Sequence, residues 1–525
     1  MSPSLVSLRR LNYALLHRNI AEGFALLEQM DKDFAHFDAS DARASAYLLC
    51  LAQWVDMGYR NVALLDGPMK RMRKIQRSEM RVGDYINLTM AEAFIAFALE
   101  DTLSAISKLD FVLRMPSVVV NPPLIALAHF WKARAHRTQG EYELALRHIV
   151  LAKQVAKDQK APRMIAEMSI HESWMLFQGG QRKEALRLLD EAEAELQHTG
   201  HVLALGNIES ARGRFVRRSG EYAKALTHFA NAIAIYSERF PEHPNTARAL
   251  VNAAYVKRLI ALDLKHRLVA GRAKAPQHAQ YLAICQDALG LLGRAGNIYT
   301  AHHHQAGMGS VYVNAGYLHL DSGDIDCAEN EAAKAFALGE QRNDHILMAR
   351  ARTLQSVLQN ERAEEQIEES PDISLHAALA RTYAEEAVEI AKLTQNRRLL
   401  AGAYIALSTT AANEFFQDWD TAKEYAALAT GLLARDDRDH LARELRQLKA
   451  RILRATGIDE TLRSWSEGII SHKTFLQVTE EFAEIVIPRV WLREGRKISK
   501  VAEKLSMSPK KVRRILTKVN LAGKR

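Results

Sequence analysis

Cysteine is nearly absent from this sequence. There are three in 525 residues, Cys50, Cys285 and Cys327, far apart and without metal-ligand spacing. That excludes a disulfide scaffold and fits a reducing compartment, with each thiol expected as a small buried apolar group. No run of about 18 apolar residues occurs, so no membrane-spanning helix is expected. The opening stretch MSPSLVSLRRLNYALLHRN carries charges where a secretory leader needs an apolar core, so the expected location is the cytoplasm. Strand patterns are scarce, and 3.6-residue periodicity dominates. Catalytic signatures are missing too: there is no HExxH, GxSxG, CxxC or GxxxxGK[ST]. The run His302, His303, His304 invites a metal, but successive helical residues diverge by about 100°, so they do not converge on one ion. The glycines of GLLGRAGN (290–297) follow a helical pattern, not a strand, so no phosphate loop is expected. No nucleophile, base and orienting group fall at an interpretable spacing. The expectation is therefore no enzyme, no cofactor and no metal.

What is present is unevenly charged. From Lys473 onward the chain has 14 Lys/Arg against 5 Asp/Glu, which accounts for the whole net charge of +9, and the preceding residues carry 57 of each sign. A localised basic module is the electrostatic footprint of polyanion binding.

The rest of the chain repeats itself. GEYELALRHIVLA (140–152), GQRKEALRLLDEA (180–192) and GEYAKALTHFANA (220–232) share one pattern at a 40-residue period. GDIDCAENEAAKA (323–335) repeats it and DALGLLGRA (287–295) carries its second half. The central alanine recurs at Ala105, Ala145, Ala185 and Ala225, and again at Ala288 and Ala328, with fainter copies near Ala25, Ala63, Ala384 and Ala422. Glycine ends one helix and tolerates positive φ at the turn, and small residues admit a close neighbour. A helix pair cannot bury its apolar face alone, so pairs stack into a solenoid. The pattern resembles the tetratricopeptide repeat (TPR) family over about residues 1–450. Ala133, Ala145 and Ala152, and again Gly213, Ala225 and Ala232, occupy that family's small positions, and Tyr142 and Tyr222 match its aromatic after the turn. The expectation is an all-α, TPR-like right-handed solenoid of about ten helical hairpins over residues 1–455. KHRLVAGRAKAPQHAQ (265–280) reads as an inserted loop, and QNERAEEQIEESPDIS (359–374) as an acidic loop or helix extension.

TPR arrays use the first helix of each pair to line a concave surface. By that resemblance Asn252 and Asn314, in VNAAYVKR (251–258) and VNAGYLHL (313–320), share a position suited to gripping a peptide backbone. Arg134, Arg137, Arg214, Arg217 and Arg218 point to the same groove and suit an acidic peptide or a C-terminal carboxylate. The alternative keeps both amides in inter-helix hydrogen bonds and pairs the arginines with local glutamates.

After a joint at 456–473, the stretch 474–525 reads as three helices. FLQVTEEFAEIVIPRVWLREG (475–495) is expected to kink or break at Pro488. KISKVAEKL follows, then a turn with Ser508 as N-cap and Pro509 in the first turn of PKKVRRILTKV. Ala502 permits a close crossing and Met507 plugs the turn. The segment resembles the Fis-type helix-turn-helix, with Ser506 where that family has glycine. The resemblance implies that Ser508, Lys510, Lys511, Arg513 and Arg514 meet the major groove or its phosphates, with Lys500, Lys504 and Lys518 neutralising phosphates. It further implies a bacterial source, nucleoid association and a homodimer paired through residues 475–494.

Together these point to a transcriptional regulator that binds double-stranded DNA and whose array takes a peptide or protein, or self-associates. The other reading is an adaptor with a basic tail that docks non-specifically on nucleic acid; a cryptic enzyme in the groove would need a cluster of titratable groups there.

Overall fold

The computed structural model describes residues 5–30, 37–116, 118–269, 275–365, 373–456, 465 and 473–519. Among them are 24 α-helices, two short 3₁₀ turns and no strand. The first hairpin is α1 (Leu5–Leu16) with α2 (Ile20–Gln29), and the second is α3 (Ala44–Asp56) with the short α4 (Asp66–Met72). Then come α5 (Val82–Ala98) with α6 (Thr102–Leu113), α7 (Pro122–Thr138) with α8 (Tyr142–Asp158), and α9 (Pro162–Gln178) with α10 (Arg182–Leu196). The middle of the array is α11 (Val202–Arg218) with α12 (Tyr222–Ser237), and α13 (Pro244–Val269) with α14 (Ala275–Ala301). It ends with α15 (Gln305–Asp321) and α16 (Ile325–Arg342), α17 (His345–Glu365) and α18 (Ile373–Lys392), α19 (Arg397–Ala411) and α20 (Trp419–Leu432), and a closing helix α21 (His440–Ala455). Ten hairpins stacked side by side form an all-α solenoid, as the repeat pattern requires. None of the helices is long and apolar enough to cross a membrane.

The local reasons are those of the repeat. Gly140, Gly180, Gly220 and Gly323 all sit at φ between 78° and 87°, at the turn inside a hairpin. Ala105, Ala145, Ala185, Ala225, Ala288, Ala328, Ala384 and Ala422 are each 0% exposed, so the period marks the seam where second helices meet their neighbours. The register fails only at the start: Ala25 and Ala63 are exposed. In α2 the small position is Gly23 instead, where a Cβ would lie 1.8 Å from the Trp54 ring. In α11 the ring of Phe229 presses on Gly213 in the same way, 2.9 Å from where a Cβ would stand.

One expectation changes here, and another is met in its described part. The stretch 265–280 is mostly helix, because α13 runs to Val269 and α14 starts at Ala275; only 270–274 lie outside the described residues. Of 359–374, the part to Glu365 extends α17, and 366–372 lie outside the described residues. The sequence read Gly, Pro and charge as a loop, but a hairpin with longer arms absorbs the same residues. Cys50 and Cys285 are buried as expected, whereas Cys327 is exposed in the first turn of α16.

The solenoid also coils back on itself. The Arg18 guanidinium, in the first hairpin, donates to Glu167 of the fifth at 2.7 Å, with the two side chains 3% and 10% exposed. The Ile20 amide donates to the Thr199 carbonyl. Glu100, in the third hairpin, accepts from the Gln305 and Ala306 amides and pairs with Arg342 at 2.9 Å in the eighth. Gly140 accepts from the Gln395 amide, and the Arg218 carbonyl from that of Arg438. The ribbon of hairpins becomes a superhelix whose successive turns touch.

The C-terminal helices make a separate small core. α22 (Phe475–Arg493) opens with a capping box between Thr474 and Gln477 and runs unbroken through Pro488, so the expected break is absent. α23 (Ile498–Lys504) and α24 (Pro509–Lys518) pack on it through Ile487, Val501, Ala502, Val512, Ile515 and Leu516. The joint at 456–473 lies almost wholly outside the described residues.

Burial pushes the Glu167 carboxyl up, but Arg18 and His201 more than offset this and hold it well below the ordinary carboxylate range. A depressed carboxylate contributes stability above its unfolded pKa, and that stability is lost as pH falls towards the folded one. Glu167→Gln, which leaves Arg18 buried and uncompensated, should cost about 3–5 kcal/mol. Urea unfolding at pH 7 checks this, and hydrogen exchange should rise first in α1 and α2.

Candidate functional site

The coiled array surrounds a half-open cavity of about 1500 Å³, lined mainly by the first helices from α3 to α21. All seven groove residues named from the sequence lie on its wall: Arg134 and Arg137 on α7, Arg214, Arg217 and Arg218 on α11, Asn252 on α13 and Asn314 on α15. The spacing explains this, because the exposed stripe of each first helix faces inward once its other faces are packed. Arg248, Arg258, Arg342, Arg350 and Arg398 share the wall and were not named from the sequence. Arg248 lies one turn before Asn252, so the same helical face carried that signal.

The arginines divide into two groups. Arg134 is held by Asp56, with Nη1 2.6 Å and 2.8 Å from the two carboxylate oxygens. Arg258 pairs with Asp321, Arg342 with Glu100, and Arg398 with Asp437 and Asp439. These are structural, since they bind neighbouring hairpins or superhelical turns to one another. Arg134 is therefore committed elsewhere, contrary to its expected role as a ligand contact.

Arg137, Arg214, Arg217, Arg218, Arg248 and Arg350 have no carboxylate at ion-pair distance among the described residues. Three of them are propped on rings instead. The Arg214 guanidinium lies 4.2 Å from the Trp174 ring centre, Arg217 4.7 Å from Tyr255 and Arg218 4.3 Å from Phe177. Such stacking orients the cation without neutralising it. The Nε groups of Arg137 and Arg217 are buried without a hydrogen-bond partner. Burial, then Arg248 and Arg134, pulls Arg137 down to about 9; burial, then Arg137, Arg248 and Arg217, does the same to Arg214. Burial followed by Arg398 pulls Arg218 to about 9. Between them sits His171, whose Nδ1 has no partner and whose pKa is driven well below the ordinary value by burial, then by Arg137 and Arg134.

The two asparagines are less free than expected. The Asn252 Nδ2 donates to the Arg248 carbonyl at 2.8 Å, and that of Asn314 to the Ser310 carbonyl at 2.7 Å. Each amide bonds back to its own helix, and Asn252 Oδ1 accepts from Arg217 at 3.4 Å. Their inward groups are acceptors.

A second candidate surface is the cationic side of α23 and α24. Lys500, Lys504, Ser508, Lys510, Lys511, Arg513, Arg514 and Lys518 are all exposed. Lys504 pairs with Glu494 and Lys518 with Glu484, whereas Lys500, Lys510, Lys511, Arg513 and Arg514 have no carboxylate partner among the described residues. Ser508 caps α24 by accepting from the Lys511 amide at 3.2 Å, Pro509 opens the helix, and Ser506 turns the chain at φ 49°.

In the histidine run, His304 caps α15 by accepting from the Gly307 amide and lies 2.9 Å from Glu100. His319, Asp324 and Cys327 bring three ligand atoms within 4.8 Å of one another, but Asp324 is engaged in capping α16. GLLGRAGN is the interior of α14.

Residues 205–263, which span α11, α12 and most of α13, match the sequence profile of the tetratricopeptide repeat. No match was found among curated protein sequences. Among solved structures, the chain is similar to a Rap protein complexed with competence and sporulation factor: 11% identity, TM-score 0.49, covering 81% of this chain and 98% of that one. It is similar to the apo quorum sensor NprR of B. thuringiensis, at 12% identity and TM-score 0.41, covering 82% and 98%. It is also similar to the human IFIT1 dimer with m7Gppp-AAAA, at 12% and 0.45, covering 84% and 86%.

Asp439 both caps α21 and holds Arg398 of the preceding hairpin. Asp439→Asn retains the cap acceptor and leaves Asp437 as the one carboxylate on Arg398, at a cost of about 1–3 kcal/mol. Chemical denaturation should show the loss, and hydrogen exchange should rise first in α21.

Proposed function

We propose that this protein is a DNA-binding transcriptional regulator whose TPR-like array takes a peptide or protein ligand and thereby controls a C-terminal helix-turn-helix. The observation that carries the reading is α24: a capped, proline-initiated helix with an apolar side on a small core and an opposite side of unpaired cations. Arg513 and Arg514 are suited to bidentate contacts with guanine, and Lys510, Lys511 and Lys500 to phosphates. Lys504 and Lys518 would leave their glutamates to reach a phosphate. Ala502 at the crossing, Met507 against the core and Ser506 in a left-handed turn agree with a helix-turn-helix.

One such unit makes few contacts, so useful specificity calls for a two-fold dimer on a near-palindromic site. Helix α22 supports this: Phe475 and Phe482, seven residues apart, are 81% and 49% exposed, and Leu476 beside them is 71% exposed. A second copy of the same helix is the occupant proposed for that face. The array contributes the ligand site, a large half-open cavity with convergent polar groups.

The Arg513→Ala, Arg514→Ala variant should lose about 1–3 kcal/mol of discrimination per guanine contact. Genome-wide footprinting beside the wild type tests this. Discrete palindromic sites lost in the variant support the regulator; diffuse, salt-sensitive occupancy with no sequence preference would favour the adaptor. Phe475→Glu with Phe482→Glu should yield a monomer by analytical ultracentrifugation, with site affinity falling in step. A variant that remains dimeric places the interface elsewhere.

A further inference from the structure

We propose that Arg137, Arg214, Arg217 and Arg248 form a seat for the carboxylates of an acidic peptide, at the centre of the cavity. The inference rests on the reading above that the cavity takes a peptide, and adds the chemistry that peptide must carry.

Four guanidiniums on this wall are answered by carboxylates: Arg134 by Asp56, Arg258 by Asp321, Arg342 by Glu100, Arg398 by Asp437 and Asp439. The four central ones are not. A folding-only role would neutralise them in the same way, because a buried unpaired charge is among the more expensive features a protein can hold. Here the cations see chiefly one another, and two of their buried Nε groups have no acceptor. Trp174 and Tyr255 hold two of the guanidiniums flat, so their N–H edges are presented rather than collapsed. Partners that would satisfy such edges are anionic oxygens accepting two parallel hydrogen bonds. The acceptors already nearby, Asn252 Oδ1 and the Ser210 carbonyl, are neutral and single. Lysine contributes only Lys265 to the whole wall, so the site favours planar, bidentate recognition over a diffuse positive field. A volume near 1500 Å³ exceeds what a drug-sized ligand fills, which favours a chain of several residues over a small anion.

The test uses the full chain and three probes: hexaglutamate, hexaglutamine and inorganic pyrophosphate. Calorimetry should show hexaglutamate binding at least about tenfold tighter than hexaglutamine, a gap of about 1.4 kcal/mol. Arg214→Gln with Arg248→Gln should remove that preference, whereas Arg513→Ala with Arg514→Ala should not. Arg248→Lys keeps the charge but not the fork and should recover only part of it. The ligand-free Gln variants should unfold at or above the wild-type temperature, since no partner is lost; a lower midpoint would mark the arginines as structural and overturn the seat. Equal binding of both peptides overturns the anion seat and leaves the peptide reading standing. Pyrophosphate binding at the cavity without either peptide overturns both. A hexaglutamate preference that survives the cavity substitutions, or no binding of any probe, overturns the seat.

Discussion

The structure depends on the inability of one helical hairpin to bury its own apolar face. Each hairpin must lean on the next, and it does so where the chain offers a small residue every 40 positions. Ala145, Ala185 and Ala225 are fully covered because the neighbouring helix comes that close. Gly213 under Phe229 and Gly23 under Trp54 carry the same constraint further, to places where a methyl group has no room. Stacking under this rule leaves each first helix with one unpacked stripe. The summed stripes are the cavity wall.

Coiling adds a second constraint. Contacts between superhelical turns are made by polar groups: Arg18 with Glu167, Glu100 with Arg342 and two amides, the Arg438 amide with the Arg218 carbonyl. Paired and hydrogen-bonded charges are specific about geometry even where their net contribution is small. They decide how tightly the ribbon winds, and so how enclosed the cavity is. The same wall then carries two kinds of arginine. The paired ones hold the coil, and the unpaired ones leave its centre short of negative charge. A ligand that supplies that charge would act on the winding as well as fill the space, because Arg217 and Arg218 share the wall with Arg398 and feel its charge.

The C-terminal helices obey different physics. Their core is small, with Val501, Val512 and Leu516 fully covered, and the charge lies wholly outside it. The order of cap, proline and small residue along 502–509 positions α24 without help from the array. Signals between the two parts have to pass through a joint or a change in assembly, and the bare apolar face of α22 is suited to the second.

Much of this was legible in the residues. Period, glycine and alanine marked the hairpins, since local geometry and close packing act within one repeat and leave a repeating trace. All seven groove residues reached the cavity for the same reason: a helical face is a one-dimensional property. The cap at Ser508 and the turn at Ser506 were equally local. What the sequence could not tell was which arginine has a partner. Asp56 and Arg134 are far apart in the chain, as are Arg18 and Glu167, and no periodicity links them. Nor did it show that Asn252 and Asn314 bond back to their own helices, that α13 and α14 run through the expected loop, or that α22 passes unbroken through Pro488. Hairpins and their faces were determined by the sequence itself, through short-range sterics and spacing. The closed coil, the division of its arginines and the unanswered charge on its wall were decided only by tertiary structure, because they depend on distances between residues in different hairpins.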